Sequence, residues 1–272
     1  MVWVLSAKKI YSKCSKLYDF CSTIDNIADQ NADLEIKKKE LGEFKIKFEE
    51  KNQQDSVVKN MWDLMDEFNI SKKIVDDLFD GVESDLNQQV RIKTEKELLV
   101  YSYRVAGTVG LMMAKIFGVK KKESLQRAID LGIAMQLTNI SRDVVEDEKK
   151  NRIYLIKNSK DTILDIKNII SKADSFYDSS FVGIKDIPLN CRFSIIVARR
   201  VYRQIGKKIL QKKDIDSYRR AGKIYVSNFG KVIQTIFSLL DLIILFFIKP
   251  RKHAKENEYN LINEDISLNE RI

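Results

Sequence analysis

A chain of 272 residues, 44% of them hydrophobic, is long enough to bury a sizeable core within one large domain. Only two prolines and ten glycines interrupt it, which argues against a turn-rich β sandwich and leaves room for long helices. Lys and Arg number 48 against 39 Asp and Glu, a net charge of +9. The lysines are scattered and mixed with acids, with no basic region interleaved with aromatics, so nucleic acid is not expected as a partner. A simple lysine bias, an anionic membrane face or a phosphorylated small molecule remain as explanations of the charge.

In chain order, 4–30 has apolar residues near helical spacing, among them Leu17, Phe20, Ile24 and Ala28. The polar stretch 31–42 reads as a loop or loose helix start. Residues 43–69 give a second helical stretch, with a break near Gln53 to Ser56. Ser71 reads as the N-cap of a helix carrying Val75 and Leu78 inward. Thr94 caps a helix over 94–117, with Glu95 and Glu97 in its first turn where acids suit the helix dipole. Helices follow over 122–148, 161–179, 189–211 and 214–248. From Lys255 onward the chain is polar. No repeat or composition break divides it, so 1–250 is expected to form one all-α domain and 251–272 a disordered tail.

The apolar run 232–248 holds Gln234 and Asp241 and is followed by Lys249, Arg251 and Lys252. It reads as a core helix, a monotopic membrane contact or a span that falls short of the ~20 apolar residues crossing requires. The start, 1–5, is apolar but too short for a signal peptide. Three cysteines, Cys14, Cys21 and Cys191, give no disulfide framework, as suits a reducing cytosol. The expected location is cytoplasmic, or peripheral on the inner membrane face. A single histidine, His253, leaves oxygen ligands for any metal, which favours Mg²⁺ or Mn²⁺.

Three segments carry candidate chemistry. Asp25 and Asp29 stand four apart and so share one helix face, where like charges repel by a few tenths of a kcal/mol unless a cation lies between them. Taken alone the pair is as readily a solvated surface feature. Asp143 and Asp147 repeat the spacing, and Gln136 and Asn139 extend it into one polar stripe at offsets of 0, 3, 7 and 11 on a core-like helix. Buried polar groups without partners are costly, so a metal and polyanion are expected there, with a solvated helix face as the alternative. Between these lies Tyr101 to Met113, where Ala106, Gly107 and Gly110 leave a bare helix face that admits either a neighbouring helix or a slender apolar ligand.

These segments resemble the squalene/phytoene synthase family, in Leu17 to Asp29, in Tyr101 to Met112 and in Gln136 to Leu155. Asp80-Gly81-Val82-Glu83-Ser84-Asp85 and Lys223 to Ser227 add weaker support, and among subfamilies the likeness is to bacterial phytoene synthases. The resemblance implies a single helical isoprenoid-synthase bundle around a central cavity. It implies head-to-head condensation of two geranylgeranyl diphosphates by way of prephytoene diphosphate, with farnesyl diphosphate as the alternative substrate. Asp25, Asp29, Asp143 and Asp147 would hold Mg²⁺, with Gln136 and Asn139 completing the shell and Arg142 on phosphate. Tyr101 would lie by the reacting carbons, and Gly107 and Gly110 would admit the chains. A membrane surface would receive the product. Ser22 stands where the family usually has arginine and Asn26 where it commonly has Asp, so Lys13 or Lys16 is expected to supply the missing charge. The same departures raise a third reading, a catalytically weakened assembly or lipid-binding relative. Oligomeric state is left open.

Overall fold

The computed structural model describes residues 2–157, 159–249 and 251–272, with the side chains of 2–8 excepted. The apolar side chains of 1–5 lie outside the described residues. Helix is the rule, 75% of residues against 2% in strand, and the all-α expectation is met.

Helix α1 (Val2–Asp29) packs with α2 (Leu34–Glu49), α3 (Ser56–Phe68) and α4 (Lys72–Ser84). Their common core is aromatic: Phe20, Phe44, Phe48 and Phe79 form a cluster with ring centroids 5.6–6.3 Å apart. The stretch 31–42, expected as a loop or loose helix start, becomes the first turns of α2 from Leu34, because Leu41 and Phe44 are buried and packing overrides its lysine-rich face. The break near Gln53 is present, and Asp55 closes it by capping Val57 and Val58. Ser71 caps α4 through Lys73 N–H.

Strand β1 (Val90–Arg91) leads into α5 (Glu95–Ser102), which Thr94 and Glu97 start with a reciprocal capping box. The expected 94–117 helix then widens into a π turn over Tyr103–Gly107 before α6 (Thr108–Ile116). Helix α7 (Lys122–Lys149) runs through the centre, against α8 (Thr162–Phe181), α6 and α9 (Leu189–Leu210). After it, β2 (Arg152–Ile153) pairs in parallel with β1, Val90 opposite Arg152 and Arg91 opposite Ile153. The expected 214–248 helix divides into α10 (Ile215–Arg220) and α11 (Asn228–Phe247), since the chain turns at Gly222 with φ +60°.

The expectation of a disordered tail over 251–272 is not met. Helix α12 (Glu256–Asn263) and the turn after it bury Tyr259, Ile262, Ile266 and Leu268. Tyr259 donates to the Gln126 carbonyl at 2.7 Å, and His253 Nε2 lies 2.8 Å from the buried Asp130. Arg271 forks onto Asp77 at 3.0 and 3.1 Å, and Tyr103 O–H donates to the same carboxylate at 3.1 Å. A few well-placed apolar residues and charged partners suffice to dock a segment whose average composition is polar.

Candidate active site

The end of α1 and the C-terminal half of α7 enclose a polar pocket of about 270 Å³. Asp25 and Asp29 reach it from α1, and Gln136, Asn139, Arg142, Asp143 and Asp147 from α7. The structure therefore brings both carboxylate pairs together, with Tyr101 from α5. It adds Asp85, from the end of α4, and Arg152 and Tyr154, from β2 and the residue after it. Tyr154 donates to Asp85 at 2.6 Å and Tyr101 at 2.9 Å, and the two rings stack with centroids 4.8 Å apart.

Within each pair, among the described residues, one aspartate forms ion pairs and the other forms none. Arg142 forks onto Asp143 at 2.8 and 2.5 Å, and Lys223 stands 3.5 Å away. Arg142, expected on phosphate, lines the pocket and makes this two-point grip on the neighbouring carboxylate. Asp29 takes Arg152 at 3.1 Å and Lys150 at 3.7 Å. Lys13, one of the two lysines expected to supply charge here, pairs with Glu67, and neither it nor Lys16 lines the pocket. Desolvation pushes Asp147 up to about 7, with Asp143 adding to it and Arg152 opposing. Asp25 is raised to about 6, chiefly by the protein walls around it although part of the carboxylate meets solvent, with Asp29 and Asp85 contributing. Burial likewise raises Asp85, against the hydrogen bond from Tyr154. A site that lifts several carboxylates at once is one short of positive charge.

Among the described residues no three carboxylates, histidines or cysteines converge closely enough to hold a metal unaided. The donors nonetheless fit a hard divalent cation that arrives with a polyanion, because Mg²⁺ takes one or two carboxylates and completes its shell with water and phosphate. Asn139 Oδ1 is buried among them with no hydrogen-bond partner, an acceptor awaiting a donor or cation.

An apolar cavity of about 360 Å³ adjoins the polar pocket and shares Asp25, Val105, Gln136 and Asn139 with it. Val109, Met113, Leu131 and Met135 line it between α6 and α7. Gly110 lies on this lining, but its bare face serves helix packing first: a Cβ there would stand 2.3 Å from the Ala128 carbonyl oxygen. Gly107 lines neither cavity. A Cβ on it would meet Tyr103 Cδ2 at 3.0 Å and Ile129 Cγ2 at 3.1 Å, so it is a packing glycine, contrary to the expectation that it admits a ligand.

Residues 4–156, more than half of the chain, match the model of the squalene/phytoene synthase family. The chain belongs to that family. It is 37% identical over 170 residues to the 15-cis-phytoene synthase of Paracoccus sp. (strain N81106 / MBIC 01143), covering 57% of this chain and 55% of that protein. It is 37% identical over 157 residues to the phytoene synthase of Pseudescherichia vulneris, covering 52% and 50%. The chain thus spans about half the length of these curated relatives. Among solved structures it superposes on a dehydrosqualene synthase in complex with ligand, with TM-score 0.68, 26% identity and 87% and 88% of the two chains covered. A squalene synthase from Alicyclobacillus acidocaldarius shares the fold, with TM-score 0.59, 18% identity and 78% and 84% covered.

Sequence reasoning passed over Asp85, Arg152 and Tyr154 as site residues. Their signal was present in the segments that carry the family resemblance, but nothing in their spacing marks them as pocket-facing. Only the pairing of β1 with β2 carries Arg152 and Tyr154 back over the pocket.

Proposed function

We propose that this chain is a phytoene synthase, a prenyltransferase that joins two geranylgeranyl diphosphates head to head by way of prephytoene diphosphate. The observation that carries this reading is the polar pocket flanked by two aspartate pairs and continuous with an apolar cavity. The similarity to bacterial phytoene synthases supports it.

In this reading Asp25, Asp29, Asp143 and Asp147 bind Mg²⁺, with Mn²⁺ as a substitute, together with the substrate diphosphates. Bound there, the cation neutralises the charge that develops as diphosphate departs. The protein's own groups do the rest. Arg142 holds Asp143 in place by its fork, and Arg152 does so for Asp29. The Gln136 and Asn139 amides orient the bound anion. Val109, Met113, Leu131 and Met135 keep water from the allylic cation left on the first substrate. The double bond of the second substrate attacks that cation, and loss of a proton from the resulting cation closes a cyclopropane. A second ionisation, rearrangement and loss of a proton give the hydrocarbon. The Tyr101 ring, fixed by Asp85 and stacked on Tyr154, is set to face the reacting carbons.

The test is incubation of purified protein with Mg²⁺ and geranylgeranyl diphosphate, followed by mass spectrometry of the extract. Phytoene is the expected product, and its absence with substrate recovered intact overturns the reading. The likeness to a dehydrosqualene synthase structure over most of the chain favours one second reading, the same chemistry on farnesyl diphosphate. Competition between the two diphosphates separates them. The proposed place of work is the cytoplasm, at the inner membrane face.

A further inference from the structure

Helix α11 is inside out for a helix facing water. Its inward stripe is largely polar: Gln234, Ser238 and Asp241 share it with the buried Leu245. Arg200 on α9 donates to Asp241 at 2.6 Å and to Gln234 Oε1 at 3.3 Å. The buried Ser238 hydroxyl donates to the Gln234 carbonyl at 2.7 Å. Its outward face is apolar, with Phe229, Ile236, Leu240, Ile243, Phe246 and Phe247 each more than half exposed. A helix on the surface of a soluble body turns the opposite way, apolar stripe inward. A contiguous apolar face of this size marks an interaction surface.

The helix has the length and apolarity to cross a membrane, with 20 residues and a mean hydropathy of 1.8. Its attachments exclude crossing. It packs along α9, whose Arg199, Arg200 and Arg203 would have to enter hydrocarbon with it. Both of its ends are held to the bundle. Lys208 donates to the Tyr225 carbonyl at 2.8 Å just before it, and Lys185 donates to the Ile248 carbonyl just after it. The chain then returns to the core, where Arg127 binds the Arg251 carbonyl and His253 meets Asp130.

We propose that α11 lies flat in the surface of an anionic lipid bilayer, with its outward face in the acyl boundary. The charge around it is complementary to such a surface. Lys231 in its first turn and Lys249, Arg251 and Lys252 beyond its last are all exposed. An amphipathic helix flanked by basic residues binds anionic lipid through both terms, burial and charge. The turn that carries Lys185 also supplies Ile184 and Ile187 to the apolar cavity, so docking sets one end of that cavity beside the lipid. The docking goes beyond the reaction proposed above and does not depend on it.

The test is flotation of the purified full-length protein with vesicles of phosphatidylcholine alone or mixed with phosphatidylglycerol. The expected result is co-flotation with the anionic vesicles, weakened by salt. The triple variant Ile236→Glu/Ile243→Glu/Phe247→Glu should bind at least about tenfold more weakly with an unchanged melting temperature. Should that variant misfold, a polarity-sensitive fluorophore on Leu240→Cys decides instead, with a blue shift only when anionic vesicles are added. Failure of the wild-type protein to float with either vesicle overturns the proposal. So does a lipid-free dimer that the triple variant dissolves, since a second copy of the chain would then be what covers the face.

Discussion

Replacing Gly132 by alanine probes the crossing that closes the apolar cavity. A Cβ at this position would stand 2.2 Å from the Ala106 carbonyl oxygen, 2.6 Å from its carbon and 2.9 Å from Gly107 Cα. All three are backbone atoms, so no rotamer change relieves the overlap. The helices must part by about 1.2 Å to take that contact from 2.2 Å to an ordinary 3.4 Å, in a core that tolerates little added volume. Overpacking of this kind costs ~1–3 kcal/mol. A backbone collision belongs at or above the upper end of that range, and the gain in helix propensity from Gly to Ala returns ~1 kcal/mol. The net loss should be about 2 kcal/mol, which for a chain of this size lowers the melting temperature by about 4–8 °C. Gly42 in α2 is the control, because nothing lies within 4 Å of its Cβ position. Gly42→Ala should show the propensity gain alone, a rise of about 2–4 °C. Thermal melts by circular dichroism read both. A Gly132→Ala protein that melts at or above wild type, while Gly42→Ala rises as expected, would refute the close-packing account.

Metal-free protein should lose stability as pH climbs from about 4 through 7. Asp25 and Asp147, raised to about 6 and 7, keep protons in the fold that the unfolded chain releases near 3.8. The Asp147 share, about 4 kcal/mol unscreened, falls to roughly 1–2 kcal/mol after its partial exposure to solvent is allowed for. Melts at either end of that range should show the decline, Mg²⁺ with pyrophosphate should reverse it, and Asp147→Asn should flatten it; a metal-free melting point that rises with pH contradicts the site electrostatics. Arg271→Ala strips Asp77 of its fork and leaves a buried charge with one tyrosine donor, a loss of about 3 kcal/mol by urea titration. Pairing it with Asp77→Asn should recover part of that loss. Arg152→Gln should cut product formation at least about tenfold. It should change stability by less than about 1 kcal/mol, because its partner Asp29 is well exposed.

Most helices were legible from period alone, and both aspartate pairs from their spacing, because an i, i+4 repeat survives any packing. What period could not convey was direction. The 232–248 stretch reads as apolar in sequence, yet Gln234 and Asp241 within it are the residues that bond Arg200 of α9. The tail was illegible for the opposite reason: Tyr259, Ile262, Ile266 and Leu268 are too few to show a pattern, but all are buried. The glycines at 107 and 110 left two explanations open, and only the distance to α7 and to neighbouring side chains decides for packing. Arg152 was hidden because a two-residue strand has no alternation to read.

The β1–β2 ladder has a kinetic consequence. Its two strands pair in parallel across the whole span from Val90 to Arg152, with α5, α6 and α7 in between. Parallel pairing requires a crossover and a large loop to close before it contributes anything. Arg152 and Tyr154 therefore reach Asp29 and Asp85 only after the central hairpin has folded and docked. The pocket is then among the last parts of the molecule to form. Pulse-labelled hydrogen exchange should show the Ile92 amide, bonded to Ile153 at 2.9 Å, protected later than the amides of α7. A chain still emerging, or stalled halfway, would have both aspartate pairs in hand but neither Arg152 nor Tyr154 in place to close the pocket over them.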